Sequence, residues 1–389
     1  MTRDLSRRRL LASAGVALSA GAASVVGASD DAPAVSSAQS SGPPALRWNR
    51  TYAARAYSTA ASLVETDDGD YVAFGTTRRE QLGVGGAWLF GIDGTTGEGQ
   101  WRQVVDADEE IVYRAFAPAE EGYVLAGLVS DPGVVELRAV TTDGEVLWRN
   151  RYAPDSDSAA TTLLPSAVVS VDDGFVVAGA RDGRTEEEVV TDAVAFKVDE
   201  TGAEQWRHVF LEDVRSEVVS LSSVGDGEFV AAGPAVEPSG SGGGSTVVEG
   251  ALFRFDASGE VAWSQRYTAG GPESPNPVNR LLDHVETDDG YLAVGVTGDT
   301  TSAAAWVVPT DDSGAPQSPK TFGENTSLRL LGVTADEDTY YAVGTGRGSG
   351  GSVAYLGALD AAGEELWRET TGRKDTNQFS DVLATSDGG

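Results

Sequence analysis

Hydrophobic residues in this 389-residue chain come in short runs that stop at turn residues and never settle into a helical period. The stretch from Ser166 to Phe210 shows the pattern most clearly. An apolar run, Ser166 to Val171, meets an Asp173-Gly174 turn, and Phe175-Val176-Val177-Ala178-Gly179 follows. Ala193 to Val198 comes next, and a second turn, Asp199 to Gly202, leads into Trp206 and Phe210. Such runs, rich in β-branched and aromatic residues and bounded by Asp, Gly and Ser, predict strands; joined in this order they predict a four-stranded antiparallel sheet.

The same order of features recurs along the chain. A glycine closes the second strand of each unit, at Gly75, Gly127, Gly179, Gly233, Gly295 and Gly344, with spacings of 52, 52, 54, 62 and 49 residues. A second signature marks the outermost strand: Trp101, Trp148, Trp206, Trp263 and Trp367 each follow a turn glycine (Gly97, Gly144, Gly202, Gly259, Gly363) by four residues. Burial of each indole between neighbouring sheets is worth about 2–3 kcal/mol from apolar area. The fifth unit has Ser318 in place of the tryptophan and keeps only Phe322, which predicts a loose rim there.

A sheet with two apolar faces is stable only when stacked, and radial closure buries every face, so the repeats predict an all-β propeller of four-stranded antiparallel blades. Trp48, in Leu46 to Tyr52, has the outer-strand pattern but precedes every inner strand. At the other end, Phe379 to Thr385 reads as a lone inner strand before Asp387-Gly388-Gly389. These two segments predict an incomplete seventh blade, added to six complete ones and closed by the N-terminal strand, over residues 46–389 of a C-terminally truncated chain.

The outer turn and strand resemble the quinoprotein-type (PQQ-like) propeller repeat, Asp-x-x-Gly-x-x-x-Trp, at Asp199 to Trp206, Asp256 to Trp263 and Asp360 to Trp367. Asp289-Gly290-Tyr291-Leu292-Ala293-Val294-Gly295 is similar to the propeller repeats of secreted prokaryotic surface proteins. The resemblance implies blades docked through Trp48, Trp101, Trp148, Trp206, Trp263 and Trp367. It does not imply the quinone: the tryptophans belong to rims, apart from Trp88 and Trp306 on third strands.

In this arrangement the short Asp-Gly turns fall on one face and every variable loop on the other, so a protein or glycan ligand is expected on the variable-loop face. Where the inner strands enter from that face, counting back ten residues from each turn gives Thr59, Val112, Leu164, Glu217, Arg280, Arg329 and Gln378. Glu217, Arg280, Arg329 and Gln378 are the candidates for ligand contact at the channel mouth, with His284 further along its inner strand. A surface ion pair accounts for the charged ones almost as well.

Charge narrows the partners. Acidic residues outnumber basic ones 60 to 28, a formal net charge of −32, which opposes nucleic acid and anionic lipid. Only Lys197, Lys320 and Lys374 are lysines; an acid-rich, lysine-poor surface resembles that of halophilic proteins, where salt screens self-repulsion. Residues 1–28 read as an export signal whose Ser6-Arg7-Arg8-Arg9-Leu10-Leu11 looks like the twin-arginine signature. Its apolar stretch is short for a membrane span, so no transmembrane segment is expected in the mature chain, and residues 29–45 read as a Ser/Ala/Pro-rich disordered linker.

Without cysteine, disulfides, thiolate metal sites and a cysteine nucleophile are excluded. No cofactor is predicted. His208 and His284 alone make a weak metal case, and turns such as Asp67-Asp68-Gly69-Asp70 leave calcium open without supplying the full ligand spacing. The sequence therefore predicts an exported, salt-adapted, monomeric propeller serving as a binding or protein-interaction scaffold at the cell surface. The alternative is an extracellular enzyme on the same scaffold, a quinoprotein dehydrogenase or a carbohydrate-active hydrolase.

Overall fold

The computed structural model describes residues 43, 46–52, 58–78, 85–106, 111–155, 160–184, 189–211, 214–225, 227–236, 247–269, 278–298, 303–323, 326–348, 351–371 and 378–386. The export signal and, apart from Pro43, the linker predicted before residue 46 lie outside them.

The first sheet is β1 (Ser58–Glu65), β2 (Tyr71–Arg78), β3 (Gly85–Ile92) and β4 (Gly99–Asp106). The second is β5 (Ile111–Ala119), β6 (Gly122–Val129), β7 (Val134–Val140) and β8 (Val146–Tyr152). The third is β9 (Thr162–Val171), β10 (Gly174–Arg184), β11 (Val189–Val198) and β12 (Glu204–Phe210). Next come β13 (Arg215–Ser216), β14 (Ser220–Gly225), β15 (Glu228–Val236), β16 (Val248–Phe255) and β17 (Val261–Tyr267). They are followed by β18 (Val278–Thr287), β19 (Gly290–Gly298), β20 (Ala303–Asp311) and β21 (Lys320–Phe322). The last sheet is β22 (Arg329–Asp336), β23 (Thr339–Gly348), β24 (Gly351–Leu359) and β25 (Glu365–Thr371). Each sheet is antiparallel between consecutive strands, and the molecule is an all-β propeller.

The predicted count of blades needs correction. Four sheets are separate and four-stranded, but β13 to β21 form one nine-stranded sheet, because β16 and β18 meet in a parallel pair, Val248 with Val278. The fully buried Asn279 holds them: its Nδ2 donates to the Val248 carbonyl at 3.0 Å, while its Oδ1 accepts from Thr297 Oγ1 at 2.7 Å and the Ala269 amide at 3.1 Å. The predicted seventh blade is likewise absent as a ladder, since residues 379–385 carry no strand. They still fill a gap between last and first sheets. Asp381 Oδ2 accepts from Ser62 Oγ and the Leu63 amide, Ser386 donates to Glu65, and the Ala384 amide donates to Thr334 Oγ1.

Between consecutive units lie five hydrophobic clusters. Phe74, Leu89, Phe116 and Leu125 meet between the first two sheets, and Phe210, Phe229, Phe253 and Phe255 between the third sheet and β14 to β16. The repeat glycine has a steric cause. A Cβ on Gly75, Gly179, Gly233, Gly295 or Gly344 would fall 1.8–2.1 Å from the carbonyl oxygen of Thr59, Leu164, Glu217, Arg280 or Arg329, respectively. A bulge in the inner strand drives that oxygen into the second strand.

The rim follows an equally simple rule. Trp101 packs against Tyr123, Trp148 against Phe175, Trp206 against Phe255 and Trp263 against Tyr291, each on the next sheet round or the next half of the nine-stranded sheet. Tyr152 and Tyr267 hydroxyls donate to the carbonyls of turn glycines Gly202 and Gly314, at 2.6 and 2.7 Å. Tyr52 does the same to Gly97 at 2.5 Å, and Trp48 Nε1 donates to Gly94, so residues 46–52, predicted as the closing strand, carry no strand and dock instead on the outer turn of the first sheet. Trp367, expected to dock on a neighbouring blade, packs on Tyr341 of its own sheet. β21, where tryptophan is missing, shrinks to three residues.

Candidate functional site

Two groups of polar residues gather where the inner strands converge. The first is the channel mouth. Glu217, Arg280 and Arg329 occupy corresponding places, each offering its carbonyl to the repeat glycine, and the Arg280 and Arg329 side chains are exposed. Burial pushes the Glu217 carboxyl up; the Arg280 and Arg114 guanidiniums pull the other way, and Asp182 adds to the rise. The half-buried carboxyl thus feels the charge of two arginines from different sheets, Arg114 of β5 and Arg280 of β18. Arg114 was not singled out by sequence, because it is the bulged residue between the Tyr113 and Ala115 pairings and a fixed count lands on Val112 instead. Gln378 is exposed at the start of the tail segment. His284 is not at the mouth: it lies four residues beyond Arg280 on β18 and is 5% exposed.

The second group surrounds His284, nearer the middle of the inner strands. Ser222 Oγ lies 2.7 Å from His284 Nε2, Ser220 Oγ lies 3.3 Å from Nδ1, and Ser220 Oγ donates to Asp283 Oδ1 at 2.6 Å. The other Asp283 oxygen accepts the Val333 amide of β22 at 2.8 Å, so one buried carboxylate ties three units together. Asp283 and His284 are consecutive on β18, and the Ser220 hydroxyl of β14 reaches both. Leu221, Thr334, Val382 and Leu383 complete the wall of a narrow cavity of about 20 Å³ here, room for one water. A wider hollow, about 470 Å³, opens at the rim between His208 and the turn Ser258 to Val261 and is shallow by comparison.

Burial pushes Asp283 up to about 6, against the pull of Ser220, the Val333 amide and the His284 amide. Burial also pushes His284 down to about 4, with the Val230 carbonyl opposing. The linkage signs are opposite. From about pH 4 to 6 native Asp283 keeps a proton that the unfolded chain has lost, so its contribution to stability falls as pH rises. Over about pH 4 to 6.5 unfolded His284 takes up a proton that the native ring refuses, so its contribution rises with pH. The two offset in the parent. Urea unfolding at pH 4 and pH 7 is expected to separate them: relative to the parent, His284→Gln loses stability between pH 4 and pH 7, and Asp283→Asn gains it, each by roughly 2–3 kcal/mol.

Outer-turn aspartates are spoken for. Asp199, Asp256 and Asp311 each accept a hydroxyl and two amides of their own turn, and those bonds, the hydroxyl foremost, hold the carboxyls below the usual range. In the turn that left calcium open, Asp70 accepts from the Gly94 amide and Gln100. Among the described residues no group of three or more His, Asp or Glu side chains is placed to hold a metal ion, and no helix is long and apolar enough to cross a membrane.

No family model matches the chain, and no curated protein matches it. Solved structures do. The β-propeller domain of the Trilobed protease from Pyrococcus furiosus is 8% identical, with a TM-score of 0.44, over 79% of this chain and 82% of that one. The α-L-arabinofuranosidase Arb93A from Fusarium graminearum is 12% identical, with a TM-score of 0.46, over 77% and 92%. Synechocystis apocarotenoid oxygenase is 9% identical, with a TM-score of 0.40, over 66% and 62%.

Proposed function

We propose that this protein is an exported, salt-adapted β-propeller that works at the cell surface as a binding scaffold, taking an acidic glycan or an acidic protein segment at its channel mouth. One observation carries the reading: in a chain of net charge −32, the inner-strand residues Arg114 and Arg280 both act on the half-buried Glu217, and Arg329 holds the place on its own inner strand that Arg280 holds on β18. Guanidiniums are forked donors suited to carboxylates and sulfates, and a locally positive mouth in an acidic surface selects and orients an anionic ligand. Export rests on the twin-arginine-like Ser6 to Leu11, and salt adaptation on the acid-rich, lysine-poor composition. The quinone-linked alternative gains nothing from the channel, where Trp306 is fully buried in a packed core rather than free to stack.

Titration calorimetry with a polyuronate oligosaccharide and with a poly-glutamate peptide tests the reading. Binding of either is expected in the parent, with Arg280→Ala/Arg329→Ala weakening it at least tenfold, about 1.4 kcal/mol, and without change in melting temperature. No binding of either ligand, or equal binding by the double variant, overturns it.

A further inference from the structure

The seam between the first and last sheets lies apart from the channel mouth, and the segments that bound it keep the register of the repeats. Asp381 stands to β1 as Asp283 stands to β22: through Oδ2 each accepts the amide of the second residue past the inner-strand bulge, Leu63 at 3.0 Å and Val333 at 2.8 Å. The Phe379 amide donates to the carbonyl of the repeat glycine Gly344 at 3.2 Å, as the Val218 amide does to Gly179 at 3.1 Å. Residues 379–385 therefore lie where an inner strand lies. At the rim, Trp48 covers Gly97 and Tyr52 donates to its carbonyl, as Trp148 and Tyr152 do at Gly202. Residues 46–52 thus lie where an outer strand lies, and among the described residues no strand stands between the two segments.

The walls of the seam are the positions that every other interface buries. Two residues before the repeat glycine, Leu125, Val177, Ala231, Ala293 and Ala342 are fully buried against the preceding unit. Ala73, at that position on the first sheet, is only half-buried, and so is Phe90, paired with it, although Tyr52 packs on its ring. On the last sheet Leu356 is half-buried, whereas its counterparts Leu89, Leu137, Ala195, Leu252 and Val307 are fully buried against the following unit. Tyr341, on the same face, is half-buried as well. Covering such walls is worth about 25 cal/mol for each Å² of apolar surface.

We infer that the seam is a docking slot for a β-hairpin of another polypeptide, two antiparallel strands apolar on both faces that enter between Ala73 and Leu356 and pair with residues 379–385. Strand addition supplies backbone bonds, and the two walls supply side-chain selection. The register states one more requirement. Gln378 precedes Asp381 by three residues, as Arg280 precedes Asp283, and a Cβ on the residue that meets the Arg280 carbonyl would lie 1.9 Å from it. The entering strand therefore needs glycine where it meets the Gln378 carbonyl. A second folded copy of this chain has no such hairpin to give, because the middle strands of each unit are paired on both edges.

The test adds a synthetic peptide of residues 174–198, the β10–β11 hairpin, to the folded 389-residue chain in high salt, with titration calorimetry and amide hydrogen exchange as readouts. One-to-one binding is expected, with exchange slowed across residues 379–385. Gly179→Val in the peptide leaves the chain untouched and should weaken binding at least about tenfold, because the added side chain meets the Gln378 carbonyl. Leu356→Glu on one wall and Ala73→Glu on the other should each weaken it as much while melting with the parent, since both positions are half-exposed. No binding by the parent, equal binding of the Gly179→Val peptide, protection of β9 or β12 instead of the tail, or unchanged affinity in both wall variants overturns the inference. So does a parent dimer that Leu356→Glu breaks, which would make a second copy the occupant. The anionic probes of the mouth do not enter this test, so the two readings fail separately.

Discussion

Replacing Glu136 by alanine should cost about 3–5 kcal/mol of folding free energy, the largest loss expected from any single charged residue here. Glu136 sits on β7 at 1% exposure. Its Oε1 accepts from Arg138 Nε at 3.1 Å and Nη2 at 2.7 Å, while Oε2 accepts from Arg151 Nε and Nη2, both at 3.1 Å. Arg138 is itself 7% exposed and stacks over the Tyr113 ring at 5.7 Å. Taking the carboxylate away removes the charge that offsets the buried Arg138 guanidinium in low dielectric, and most of the cost lies there rather than in the lost attraction. Arg151, 36% exposed, is screened by water, so Arg151→Ala should cost only about 1 kcal/mol. Urea unfolding of both variants checks the contrast; a Glu136→Ala loss below 1 kcal/mol would mean the cluster is hydrated.

Adding one methyl group to Gly233 or Gly344 is expected to be nearly as damaging, at about 3 kcal/mol or more. The new Cβ would lie 1.8 Å from the Glu217 carbonyl or 1.9 Å from that of Arg329. Both partners are backbone, Arg329 beside a bulge of β22 and Glu217 between β13 and β14, where its amide donates to the Pro234 carbonyl, so neither yields without breaking backbone bonds. Gly332 is the control: its Cβ would find Val343 at 3.4 Å, ordinary contact with a side chain, and Gly332→Ala should stay within about 0.5 kcal/mol of the parent. Thermal melts of the three variants decide it. If Gly344→Ala melts with the parent, close approach is not why the position is glycine.

These residues also show what a single sequence carries. Strand alternation, the repeat glycine and the tryptophan four residues after a turn are local signals, and they placed the antiparallel meanders and the rim. Sheet number was not local: it turned on the Asn279 amide reaching Val248 across a connection whose polar composition looked like any loop. Arg114 escaped notice because a bulge shifts which side chains face the axis. Ser222 and His284 are 62 residues apart and meet only because neighbouring inner strands converge. Read alone, each was an ordinary serine and a solitary histidine. Charge at the mouth was readable since Glu217, Arg280 and Arg329 keep one register with the repeat glycine.

The tail that bonds Ser62, Leu63 and Glu65 through Asp381 and Ser386 joins partners 318 to 321 residues apart. Contacts so distant along the chain come late, after the loop-closure entropy of the intervening sheets has been met. The successive sheets can stack on one another first, but the seam between the first and the last of them stays unsealed until Asp381 and Ser386 arrive. Those two residues act as a checkpoint: their bonds form only once the sheets between are in place.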